Sequence, residues 1–412
     1  MEKLKFSERC IFERYEGKVL LLNRETSHKI LISENCFNII VNSIDMGYSI
    51  NQIINNMADE DDSKFIEKLL SVLIHRKFLV NEELTCIKLQ TITFLLTNRC
   101  NLKCKHCCAS AVDNHSEDIL DKATVMKIIN KLVACNVETI IFSGGEPLIR
   151  NDFMDILEET RRKFKGKIGL MTNGVLINKQ NITQLVTNID EFNISIDGCD
   201  EDSCSTIRGK GVFNKVMETI SLLKKYTDKI YLSMVMTPQN RKLKSQFLEM
   251  NKQLGTLPIL RDFVVGERAI ENYDHWGSKE EIDIAAYQME NNIDDISFLS
   301  CGGIFHELAI RHDGMMVPCP LMSDDEFILA DIQNVKNLQS FLQYDNLKLL
   351  SGFINFMRYF PENFDYCKTC PVNQHCWYCP HDIYNAYKYG RNMSIKCELK
   401  KNILKKIVWK EE

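Results

Sequence analysis

Residues 91–107 read Thr-Ile-Thr-Phe-Leu-Leu-Thr-Asn-Arg-Cys-Asn-Leu-Lys-Cys-Lys-His-Cys. The run 91–96 is β-branched, aromatic and aliphatic and too short for a typical helix, so it reads as a buried strand. Cys100, Cys104 and Cys107 follow it at once with the spacing C-x3-C-x2-C. Three thiolates on one short loop can bind three irons of a 4Fe-4S cluster and leave the fourth iron open for chemistry. The competing reading is a zinc knuckle. Structural zinc asks for a tetrahedral fourth ligand, which His106 or Cys108 would supply only awkwardly beside Cys107.

Working outward, apolar runs at 91–96, 139–142, 167–171, 192–196, 230–236 and 259–265 alternate with amphipathic stretches at 122–135, 152–164, 179–187, 213–224 and 242–254. That alternation is the pattern of a parallel sheet with crossover helices. Six strands are too few to close an eight-fold barrel, so the expected fold is α/β, a partial (β/α)6 barrel over residues 86–275.

Upstream, residues 1–85 read as a winged-helix-like domain. A hairpin of 11–15 and 18–23 turns about Gly17, and 29–32 adds strand material. Three helices follow, with Ser33 and Ser49 as N-caps for 34–44 and 50–57, and Ser63 opening 64–76 with Phe65, Leu69, Val72 and Leu73 on one face. Residues 82–85 are the linker. Downstream, in residues 276–412, the alternation fails and cysteines cluster, so metal clusters rather than a large apolar core are expected to organise this cysteine-rich domain.

The chain has 412 residues, 17 cysteines and a net charge of -5. Ten of the cysteines sit at tight ligand-like spacings, which in a reducing compartment favours metal over disulfides. Cys10, Cys36, Cys86, Cys135, Cys199 and Cys204 are read as buried small apolar residues. The charge balance offers nothing to nucleic acid, and Lys103, Lys105 and residues 161–163 read as solvated faces. No apolar run is long enough for a membrane span and no export signal is visible, so a cytoplasmic location is expected.

With its cysteine loop after the first strand, the chain resembles the radical S-adenosylmethionine superfamily. The resemblance implies that Cys100, Cys104 and Cys107 hold the cluster whose open iron chelates S-adenosylmethionine, the cofactor doing the hard step. His106 stands where the family often has an aromatic residue and Cys108 where tyrosine is common. Gly144, Gly145 and Glu146 match the family's GGEP segment, implying contact with the cofactor's ammonium, and Asn173 ends the third strand beside them. Ser195 and Asp197 are implied at the ribose and Arg208 at the methionine carboxylate. All fall at C-terminal strand ends, where barrels of this type place their sites.

Cys301, Cys319, Cys367, Cys370, Cys376, Cys379 and Cys397 resemble the SPASM domain of peptide-modifying radical enzymes, which implies two auxiliary 4Fe-4S clusters and three in all. Cys367, Cys370, Cys376 and Cys397 would complete the distal one. Cys301, Cys319 and Cys379 would leave the nearer one a ligand short, with His306, His312 or a substrate thiolate to fill it. Only two residues separate Cys376 from Cys379 where the family usually has three. Two structural zinc sites are the alternative.

The N-terminal strands and helices resemble the precursor-recognition element of ribosomal-peptide maturases, which takes a leader peptide as an added strand; a dimerisation or packing module is the competing reading. The expected activity is thioether formation in a ribosomally made precursor peptide, as in the sactipeptide and ranthipeptide synthases, with a flavodoxin- or ferredoxin-type reductant. Carbon-carbon crosslinking and sulfatase-type protein maturation are the alternatives.

Overall fold

The computed structural model describes residues 4–81, 87–109, 111–112, 117–264, 266–276, 301–377 and 379–410. The linker read at 82–85, Cys86 and Val265 lie outside the described residues. Near the N-terminus, β1 (Lys5–Phe6), β2 (Cys10–Tyr15), β3 (Lys18–Asn23) and β4 (His28–Ser33) are followed by helices Glu34–Asp45, Ile50–Asn55 and Glu60–His75 and by β5 (Leu79–Val80), which pairs with β1. β2, β3 and β4 form an antiparallel sheet in the order β2-β3-β4. Glu16 and Gly17 both take positive φ in the tight turn between β2 and β3.

Ser33 and Ser49 cap their helices as the sequence suggests, with side chains accepting from the N–H of Cys36 and Gln52. The third helix departs from expectation. Asp59 caps it and Ser63 lies inside it. Glu60, Asp61 and Asp62 occupy its first turn, where the helix dipole favours negative charge. Its buried face is Ile66, Leu70 and Leu73, while Phe65 is exposed. Two apolar stripes one residue apart compete on this helix, and packing chooses between them.

The alternation of β3 joins this region to the rest. Val19 and Leu21 belong to the small core with Phe37, Ile40 and Leu70, whereas Leu20 and Leu22 belong to the main core. A strand buried on both faces has to be continuously apolar, as Val19 to Leu22 are. The Arg24 guanidinium lies 4.1 Å from the Phe360 ring centroid and pairs with Glu362 at 2.6 Å, and Lys18 Nζ donates to the Trp409 carbonyl.

The six barrel strands are β6 (Thr91–Thr97), β7 (Thr139–Gly144), β8 (Lys167–Thr172), β9 (Glu191–Ser195), β10 (Ile230–Met236) and β11 (Leu257–Asp262), adjacent in sequence order and all parallel. Helices Lys122–Ala134, Phe153–Lys163, Ile182–Asn188, Val212–Leu223 and Lys244–Leu254 cover them. β6 to β10 are largely buried because both faces are packed, which is why they read as apolar runs, whereas the edge strand β11 has no buried residue.

The sheet does not end at β6. β12 (Glu307–Ile310) pairs with it in parallel, Thr91 opposite Glu307, and β13 (Met315–Val317) and β14 (Ala330–Asp331) continue antiparallel. The cysteine-rich region is thereby bonded to the strand that feeds the first cysteine loop. Among the described residues, no helix is long and apolar enough to cross a membrane.

Of the cysteines read as core that are among the described residues, only Cys204 is buried; Cys10, Cys36, Cys135 and Cys199 are half-buried, Cys135 at a helix C-cap. Arg161 is no plain solvated residue either. It bonds the carbonyls of Gly166 and Asn188 and pairs with Asp190 at 2.5 Å, fastening its helix to the starts of β8 and β9.

Candidate active site

The exits of the barrel strands open into a cleft of about 230 Å³ lined by Cys100, Cys104 and Cys107 together with Gly144, Gly145, Asn173, Ser195 and Arg208. The cysteine loop is held by its backbone. Cys100 N–H donates to the Val112 carbonyl at 3.0 Å, Lys105 N–H to Ile207 at 3.0 Å and Cys107 N–H to Cys104 at 3.2 Å. Arg150 is buried beneath, bonding the carbonyls of Leu96 and Leu120.

Gly144 and Gly145 serve the loop directly. A methyl on Gly144, whose φ is +127°, would meet the Thr97 carbonyl at 2.3 Å, and one on Gly145 would meet that of Arg99 at 2.1 Å. Only glycine lets the second strand's exit press so closely against the first.

Two residues implied at the cofactor do not line the cleft. Glu146 is fully buried and accepts from Thr172 Oγ1, Asn173 N–H and Leu148 N–H, tying the exits of β7 and β8 together. Burial outweighs these donors and pushes its carboxyl up to about 7. Asp197 is also fully buried. One oxygen accepts from Val235 N–H at 2.7 Å, and the other lies 2.5 Å from both Arg208 Nε and His106 Nε2. Burial alone would raise the Asp197 carboxyl, but Arg208 and His106 prevail and hold it well below the usual carboxylate range. β9 ends at Ser195, so strand alternation no longer carries Asp197 to the face that Ser195 occupies. Arg208, at the C-terminal end of the helix Glu201–Arg208, reaches across with Nη1 3.8 Å from Cys104 Sγ.

The donor set fits a cluster bound by three thiolates. Cys100 Sγ receives Leu102 N–H at 3.4 Å and Asn173 Nδ2 at 3.9 Å, and Cys104 Sγ receives Arg208. Such donors offset the negative charge of a buried thiolate. Without that charge being shared with iron, burial drives Cys104 up to about 12. Among the described residues, no three His, Cys, Asp or Glu side chains converge to hold a single metal ion. A cubane makes a different demand, because each thiolate binds its own iron.

The C-terminal cysteines fall into two neighbourhoods. Cys367 is pushed up to about 12 by burial, then by Cys376, Cys397 and Cys370. Cys379 is raised by burial, then by Asp382, Cys301 and Cys319, with Cys301 and Cys319 on the two sides of the β12–β13 hairpin. Of the histidines considered for the fourth ligand there, His306 lies against Gly302, the residue after Cys301. Its ring overlies Gly302, where a methyl would meet Nε2 at 2.7 Å, while His312 sits among Asp313, Arg311 and Asp118. Sequence reasoning passed over Arg150, Arg261, Arg268 and the His106–Asp197 pair; the available signal was charge placed at strand exits and inside the cysteine loop.

Residues 94–246 match the model of the Radical SAM superfamily. Among curated proteins, the GTP 3',8-cyclase of Synechocystis sp. is 28% identical over 149 residues, 36% of this chain and 46% of that protein. The probable GTP 3',8-cyclase of Methanococcus maripaludis is 28% identical over 176 residues, 43% of this chain. The chain spans about half the length of these relatives, 46% and 55%. Among solved structures, anSMEcpe with bound AdoMet and Cp18Cys peptide superposes with a TM-score of 0.56 at 18% identity, covering 78% of this chain and 96% of that one. Streptococcus suis SuiB bound to precursor peptide SuiA gives 0.52 at 15% identity, covering 90% and 94%. At such identities the likeness is one of fold, and the fold is the radical SAM α/β partial barrel.

Proposed function

We propose that this chain is a radical S-adenosylmethionine enzyme that forms a thioether crosslink in a ribosomally made precursor peptide. The observation that carries the enzymatic part is the cleft at the strand exits, lined by three thiols, two of them with N–H donors, on a loop that two glycines allow to pack. A cluster held there, with S-adenosylmethionine on its open iron, supplies a radical able to abstract hydrogen from a substrate. Asn173 and Arg208 orient and stabilise the thiolates, Asp197 and His106 fix Arg208, and Ser195 lines the wall beside the sulfurs.

The peptide part rests on β4. It has one strand neighbour, β3, and its other edge bears no strand among the described residues. Ile11 to Arg14 of β2 instead share a small cavity with Lys368 to Pro371, Asn373 and Gln374. An extended leader peptide adding to β4 would satisfy its backbone groups and bring the following residues toward the cleft. The thioether part rests on the nearer cysteine group, where Cys301, Cys319 and Cys379 are neighbours; they are three cysteines for a cluster that takes four ligands, so a substrate thiolate would be the fourth. Carbon-hydrogen abstraction beside that sulfur, loss of the thiol proton and transfer of one electron to the auxiliary cluster would balance the closure of the carbon-sulfur bond.

The sequence relatives favour a second reading, a nucleotide substrate. The two are separated by incubating the reconstituted protein and S-adenosylmethionine with GTP or with the product of an adjacent short cysteine-bearing frame. Peptide-dependent 5'-deoxyadenosine and a crosslinked product support the proposal; turnover of GTP alone refutes it.

A further inference from the structure

The cleft carries more positive charge than the cofactor reading uses. Among the described residues, Arg208, Arg261 and Arg268 line it, and no aspartate or glutamate does. The charge of Arg208 is met by Asp197 at 2.5 Å. Arg261, next to last in β11, spends Nε on Ser233 Oγ at 2.8 Å. Arg268, opening the helix Arg268–Glu271, gives Nη2 to the Ala111 carbonyl, while its Nη1 is buried without a hydrogen-bond partner. Neither pairs with a carboxylate among the described residues. The exposed Cys108 lines the same cleft and also the adjoining one, which His381, Asp324 and Lys388 of the cysteine-rich region border.

Two guanidiniums lining a cleft to which the described residues contribute no carboxylate make a site for an anionic oxygen group, which arginine grips in a planar, often bidentate, fashion. We propose that Arg261 and Arg268 form a subsite for a carboxylate carried by the substrate, an acidic side chain of the peptide, and so place that residue between the barrel cleft and the cysteine-rich region. This rests on the peptide reading above and names a feature of the substrate.

Cys108 is a built-in reporter. In the reconstituted protein with S-adenosylhomocysteine bound, Cys108 is alkylated with iodoacetate or with its neutral isostere iodoacetamide. Rates are read by mass spectrometry with Cys36 as internal reference. The iodoacetate-to-iodoacetamide ratio at Cys108 should exceed that at Cys36 by about tenfold, the scale of one charge-assisted pair. It should fall to the Cys36 value in Arg261→Gln/Arg268→Gln. A wild-type arm guards against a misfolded variant: an acetylated hexapeptide with one glutamate should slow the iodoacetate reaction, and its glutamine twin should not.

No preference at Cys108 overturns the subsite; a preference that appears only when S-adenosylhomocysteine is left out overturns it too, because the arginines would then hold the cofactor's carboxylate. Equal protection by both peptides overturns the subsite and leaves the peptide reading standing. Protection by GTP and by neither peptide overturns both.

Discussion

Asp197→Asn is the substitution whose cost the structure defines best. Asp197 is fully buried, and one of its oxygens sits 2.5 Å from both Arg208 Nε and His106 Nε2. Arg208 is itself only 8% exposed, so neutralising its partner leaves a buried guanidinium without compensation. Removing one partner of such a pair costs about 3–5 kcal/mol. At about 2–4 °C per kcal/mol for a barrel of this size, the apo-protein transition should fall by about 10 °C. The assay is thermal unfolding at pH 7 of wild type, Asp197→Asn, Arg208→Met and the double variant. The double variant should recover most of the loss, because it removes the orphaned charge with the carboxylate. A loss below about 1 kcal/mol, or strictly additive single effects, would refute the view that this pair is a coupled buried unit.

Glu13 provides a test in the opposite sense. Burial pushes its carboxyl up to about 8, so its stabilising contribution is full below about pH 4.5 and is lost as pH rises through 8. Glu13→Gln should match wild type near pH 5 and surpass its Tm at pH 8.5; a variant less stable at both would contradict this. Gly145→Ala should push the Arg99 carbonyl, and with it the start of the cysteine loop, away from the β7 exit and cut reconstituted iron by about four of about twelve atoms per chain, whereas unchanged iron would show that the loop adapts. On adding precursor peptide, hydrogen exchange should slow in residues 28–33; slowing in residues 10–15 instead would place the leader on the wrong edge for this account.

The barrel was legible because β6 to β10 are packed on both faces and leave apolar runs that helices punctuate, while the more exposed edge strand β11 was marked by its short apolar run alone. β12 was not: Glu307 to Ile310 is four residues long and owes its place to pairing with β6 rather than to any pattern of its own. The cysteine loop and the residues at strand exits were legible as positions, but residue type at an exit does not tell where the side chain points. Glu146 and Asp197 both turn inward because each finds three polar partners there, and a carboxylate so satisfied is cheaper buried than a sequence suggests. The third N-terminal helix shows the same limit, since Phe65 and Ile66 are equally apolar and only the packing partner selects Ile66. Arg24 could not be read at all, because its partner Glu362 lies far along the chain.

The central claim is tested most directly on the peptide product. Reconstituted protein, S-adenosylmethionine, reductant and precursor are incubated anaerobically, and the peptide is weighed before and after thiol alkylation. The account predicts 5'-deoxyadenosine that disappears when Cys100, Cys104 and Cys107 are all changed to Ala, and a peptide two hydrogens lighter with one fewer alkylatable cysteine per crosslink. A two-hydrogen loss with every cysteine still alkylatable would contradict it.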